Sequence, residues 1–89
     1  MKYFAAFLKM LDVEKNTKFR QQHIDFLTQN EKDGNIFARG RFTGGEGGLV
    51  IYMAESFEEA ARLAKSDPYV ASGARGLDLY EWDMKLPQK

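Results

Sequence analysis

The 89-residue chain contains no cysteine, two prolines, one tryptophan and one histidine. Without a thiol there is no disulfide framework, no thiolate metal site and no cysteine nucleophile, which suits a reducing cytoplasmic setting. A lone histidine leaves out the usual transition-metal ligand sets, and Glu58, Glu59, Asp78, Glu81 and Asp83 lack the spacing of a calcium loop. No metal and no other cofactor are expected. An excess of one charge is missing too. Thirteen Lys plus Arg balance thirteen Asp plus Glu, and neither sign forms a block, so the electrostatic footprint of a nucleic-acid binder is absent. Long hydrophobic runs are also lacking: the apolar stretch at residues 3–8 is too short for a membrane span or a secretory core.

What remains is 44% hydrophobic and 29% charged, the balance of one globular domain. It is expected over residues 1–85, with 86–89 as a loose tail. A chain of this size buries only about 60 to 65% of its unfolded surface, so self-association would add stability.

Residues 2–10 are apolar on both alternating sets, Phe4, Ala6, Leu8 and Met10 against Tyr3, Ala5 and Phe7, as in a strand covered on both faces. Residues 14–31 change period. Phe19, His23, Phe26, Leu27 and Asn30 fall on one side of a helix, which Gly34 then ends. A second strand over 35–42 would place Ile36, Ala38, Gly40 and Phe42 on one face and Phe37, Arg39 and Arg41 on the other. The glycine-rich residues 43–48 lack both nucleotide-loop fingerprints and read as a turn into a third strand, 49–54. Ser56 and Glu59 form a capping box for a second helix with a stripe of Phe57, Ala60, Ala61 and Ala64. A proline disfavours helix in the residue before it, so that helix must stop by Asp67. Asp67 and Pro68 then suit the cap and first position of a new turn, which Gly73 closes. Residues 74–83 form a last strand, Leu77 and Leu79 facing one way and Asp78, Tyr80 and Trp82 the other.

The order predicts an α+β, ferredoxin-like βαββαβ fold, a four-stranded antiparallel sheet with two helices on one face. Two helices cover only one face. The first and third strands are apolar on both, so a homodimer packed sheet to sheet is expected.

His23, on the inward side of the first helix, is the candidate proton carrier, because imidazole exchanges protons near neutral pH. Asp67 is the candidate partner: a carboxylate on one ring nitrogen would set the tautomer and leave the other free. Each also has a plain structural role, Asp67 as a helix cap and His23 as a core residue bonded to a carbonyl. Arg20, one turn before His23, is either an anion contact or a solvated side chain. Arg39 and Arg41 would bind a carboxylate or, more readily, pair with Asp78 or Glu81 across strands. Tyr69, Tyr80 and Trp82 read as core or dimer contacts.

Five pieces together, Arg20-Gln21-Gln22-His23-Ile24, Gly34, Ala38-Arg39-Gly40, Ser56-Phe57-Glu58-Glu59-Ala60 and Asp67-Pro68-Tyr69-Val70-Ala71-Ser72-Gly73, resemble the YciI-like (YCII-related) family over nearly the whole chain. The resemblance implies a dimeric α+β barrel and a family histidine and aspartate at His23 and Asp67. It also implies kinship in fold with muconolactone isomerases and, in one branch, elimination chemistry on hydroxylated aromatics. Where the family often has Gly-Pro and a longer loop, this chain has Gly40-Arg41 and a short glycine turn, so pocket shape and substrate preference are expected to differ; Arg20, Arg41 and Gly40 are the candidate substrate contacts. The expected activity is proton transfer or elimination on a small ring compound without cofactor. The alternatives are a metabolite-binding homodimer without catalysis and a structural module.

Overall fold

The strand with apolar residues on both sides, β1 (Lys2–Met10), takes an inner position in a four-stranded sheet, where both of its faces can leave water. The chain continues through α1 (Val13–Lys18), α2 (Arg20–Lys32), β2 (Ile36–Arg41), β3 (Gly47–Ala54), α3 (Phe57–Lys65), α4 (Pro68–Ala71) and β4 (Arg75–Trp82). This structure, a computed structural model, describes residues 1–88; of the expected tail 86–89, Lys89 lies outside the described residues. The strand order is β2-β3-β1-β4 with every pair antiparallel, the ferredoxin-like arrangement.

Between sheet and helices, Phe4, Ala6 and Leu8 of β1 and Val50 and Tyr52 of β3 pack against Leu27 of α2 and Ala60 and Ala64 of α3. The alanines let α3 lie close to the sheet. Its start is secured by the Ser56 hydroxyl, which accepts the Glu59 N–H at 3.2 Å. No helix among the described residues is long and apolar enough to cross a membrane.

Three local expectations are corrected. The helix over 14–31 is two helices, broken at Phe19 (φ −100°, ψ 9°). α1 buries no residue of its own, so nothing in the core holds it collinear with α2, and the turn brings Asn16 to Arg75 of β4.

The second correction concerns β2. A register shift between Ile36 and Ala38 inserts an extra residue against β3, and an inserted residue resets the alternation of faces. Ile36, Arg39 and Arg41 therefore share the helix side, Arg39 opposite the buried Val50 and Arg41 opposite Gly48. Phe37 and Phe42 turn to the open side, where they meet Tyr3 and Phe7 edge to face at 5.2 and 5.8 Å. Because β2 and β4 are opposite edges of the sheet, Arg39 and Arg41 cannot pair with Asp78 or Glu81. Arg39 instead meets Glu31 of α2 at 3.2 Å.

Third, β3 starts two residues early, at Gly47. Gly47 has φ +131°, and a Cβ there would lie 1.9 Å from the Leu8 carbonyl oxygen, so only glycine fits. The open side of the sheet carries Phe37, Phe42, Tyr80 and Trp82 at 42, 39, 63 and 45% exposure.

Candidate active site

Pro68 holds Asp67 in extended backbone (φ −62°, ψ 126°), and the aspartate caps α4 by accepting the Tyr69 N–H at 2.9 Å through Oδ1. The same Oδ1 accepts a second hydrogen bond, 2.7 Å, from Nδ1 of His23 on α2. The cap and the contact with His23 are thus compatible; one oxygen serves both. Asp67 has no exposed surface. A carboxylate oxygen accepts, so Nδ1 is the ring nitrogen that donates in this contact. Nε2 has no partner among the described residues, and His23 lines a cavity of about 440 Å³. That volume is within the range of small-molecule sites.

Tyr69, read from the sequence as a core or dimer contact, instead stacks on the imidazole, with centroids 3.9 Å apart and planes at 17°. Arg75 lies against the same phenol, its Cζ 4.3 Å from the ring centre, and its Nε donates to Asn16 Oδ1 at 2.9 Å. Burial holds the Tyr69 hydroxyl above its ordinary range, opposed by Arg75 and Arg20, so the stacked ring stays a neutral phenol. Burial also lowers the Arg75 pKa, against Tyr69 and Asp67, which favour its charge.

Behind the dyad, Asp67 Oδ2 and the Tyr52 hydroxyl are both buried without a hydrogen-bond partner among the described residues. Burial pushes the Tyr52 phenol far above its usual range, and the Asp67 charge pushes the same way.

The fold brings together all five residues singled out in the sequence: His23 and Asp67 bond directly, while Arg20, Gly40 and Arg41 line the cavity with His23. Arg75, Asn16, Tyr69 and Tyr52 were missed. Two signals were present. Arg75 falls on the alternating set of Leu77 and Leu79, and an arginine on the inward set of a strand needs a reason. Tyr52 falls inward on an otherwise apolar strand, where a phenol needs a partner. Among the described residues no three of His, Cys, Asp and Glu cluster as a metal site would require. The arrangement offers one oriented imidazole, a stacked neutral phenol and a cationic rim.

The backbone superposes on 5-chloro-2-hydroxyhydroquinone dehydrochlorinase (TftG) from Burkholderia phenoliruptrix AC1100, solved in complex with 2,5-dihydroxybenzoquinone. The TM-score is 0.80 at 18% identity, over 93% of this chain and 95% of that one. At such identity the likeness concerns the fold. In sequence the chain is 36% identical over 72 residues to the uncharacterized protein YjpA of Bacillus subtilis (strain 168), covering 76% of this chain and 85% of YjpA. The profile of the YCII-related domain matches residues 1–83. With that match spanning nearly its whole length, the chain belongs to the YCII-related domain family.

Proposed function

We propose that this protein catalyses proton transfer or elimination on a small cyclic or aromatic compound, with His23 as the general base or acid and Asp67 as its orienting partner. The observation that carries the reading is the 2.7 Å bond between His23 Nδ1 and Asp67 Oδ1, with His23 lining a cavity and its Nε2 without a partner among the described residues. Nε2 takes a proton from a ring carbon or hydroxyl, and Asp67 stabilises the imidazolium that forms. The electron pair left behind then expels a leaving-group anion, or the proton returns to a different atom. Arg20, Gly40 and Arg41 are the nearby substrate contacts. Family membership and the fold shared with a dehydrochlorinase acting on a hydroxylated ring support the substrate class.

The same reading makes the protein a cytoplasmic homodimer of one domain per subunit, packed through the open sheet face. Its exposed Phe37, Phe42, Tyr80 and Trp82 form the kind of apolar surface that a partner covers.

The test is to incubate the protein with a panel of hydroxylated and halogenated ring compounds in D₂O and follow solvent deuterium entry and halide release. His23→Asn should lower the rate about 10²- to 10⁴-fold while ligand affinity is retained. Equal rates in parent and variant, or no turnover of any compound that binds, would refute catalysis and leave a binding module.

A further inference from the structure

The cavity carries an unbalanced charge. Arg20, Arg39, Arg41 and Arg75 all line it, and no Asp or Glu does. Arg39 is neutralised by Glu31 at 3.2 Å, whereas Arg20, Arg41 and Arg75 have no carboxylate partner among the described residues. The chain as a whole has formal net charge +0, so the excess is local and not the by-product of a basic protein.

Arg75 is the member that a solvated-surface account does not explain. It is 8% exposed. Its Nε is committed to Asn16 and its plane lies against Tyr69, which leaves the Nη donors without a partner among the described residues. Burial disfavours its charge, against Tyr69 and Asp67, yet a guanidinium does not give up its proton, and its Nη atoms, which are not among the fully buried unpartnered polar atoms, remain available at the cavity. The floor beneath it is Gly48, where a Cβ would stand 3.0 Å from Arg75 Nη1; glycine leaves room for the guanidinium to lie against the strand. A rigid planar fork with free donors matches a carboxylate bidentately.

We propose that this end of the cavity is an anion subsite in which Arg75, with Arg41 at the rim, holds the carboxylate of a small hydroxylated ring acid while His23 Nε2 reaches the ring. The role given to His23 rests on the proposed proton-transfer reading; the anion subsite does not.

The test compares binding of 2,5-dihydroxybenzoate and hydroquinone, which share a ring and two hydroxyls and differ by the carboxylate. The acid should bind at least about tenfold more tightly, and the preference should shrink with added salt. Arg75→Met should abolish it, Arg75→Lys should restore part, and Arg62→Gln on α3 should leave it unchanged. Should Arg75→Met not fold, Arg41→Gln must by itself reduce the preference at least about threefold. Equal affinity for the two probes, no binding of either, an unchanged preference in a folded Arg75→Met, or tighter binding of inorganic phosphate than of the acid would each overturn the subsite. Deuterium entry into hydroquinone without any carboxylate preference would sink the subsite and spare the proton-transfer reading. A carboxylate preference kept in His23→Asn, with no exchange on the bound acid in the parent, would do the reverse.

Discussion

Asp67 Oδ1 accepts two hydrogen bonds, one from the Tyr69 backbone and one from the His23 ring, so two substitutions can separate the cap from the dyad. Asparagine caps a helix as well as aspartate. Asp67→Asn is therefore expected to stay within about 1 kcal/mol of the parent in urea unfolding. It should still lose about 10²-fold or more in deuterium exchange, because an amide neither fixes the tautomer nor stabilises an imidazolium. Asp67→Ala should lose both, with about 1 to 3 kcal/mol of stability, since the buried Nδ1 is then orphaned.

Tyr52 is tested at the same scale. Its hydroxyl is buried and unpartnered, so Tyr52→Phe should raise stability by about 1 to 3 kcal/mol. A decrease would mean that the hydroxyl is bonded to Asp67 Oδ2. The folded phenol holds its proton more tightly than the unfolded one, so its contribution is complete below about pH 10 and declines above it. Tyr52→Phe should flatten that alkaline decline in unfolding experiments.

Among the elements, β2 and β3 shape the cavity. Had β2 kept its alternation from Ile36 onward, Arg39 and Arg41 would have faced away from His23; the bulge between Ile36 and Ala38 turns them toward it. The close approach of β3 to β1 needs Gly47 with its positive φ. Gly47→Ala, which drives a Cβ into the Leu8 carbonyl, should cost more than about 3 kcal/mol or give no soluble protein, read by urea unfolding. Gly45, with φ +87° but open space where a methyl group would stand, should tolerate alanine much better.

At the scale of the whole molecule, the single chain exposes 5839 Å², against about 5,300 Å² expected for a compact monomer of its mass. Its extents of 42 × 25 × 21 Å describe an elongated body, and the sheet face away from the helices exposes Phe37, Phe42, Tyr80 and Trp82. Light scattering should give the mass of two chains. Phe37→Glu and Tyr80→Glu, both on that face and exposed in the subunit, should shift the protein to monomer, because a charge desolvated in an apolar interface costs several kcal/mol. A dimer undisturbed by both changes would place the contact elsewhere.

The local pieces of this protein were legible in its residues: the stop at Asp67-Pro68, the Ser56 cap, the positive-φ Gly34 and Gly73, the succession of strands and helices along the chain and the inward placement of His23. Each depends on atoms a few residues apart, or on a repeating period, and short-range sterics determine them. The β2 bulge, the turn at Phe19 and the entry of Arg75 and Tyr52 into the site depend on partners far along the chain. Asn16 and Arg75 are 59 positions apart, and the faces of β2 follow from its register on β3. Such contacts exist only once the sheet has closed, so the capping aspartate and the inward histidine were visible in one dimension, while their contact and the charge and shape of the chamber around them came from packing in three.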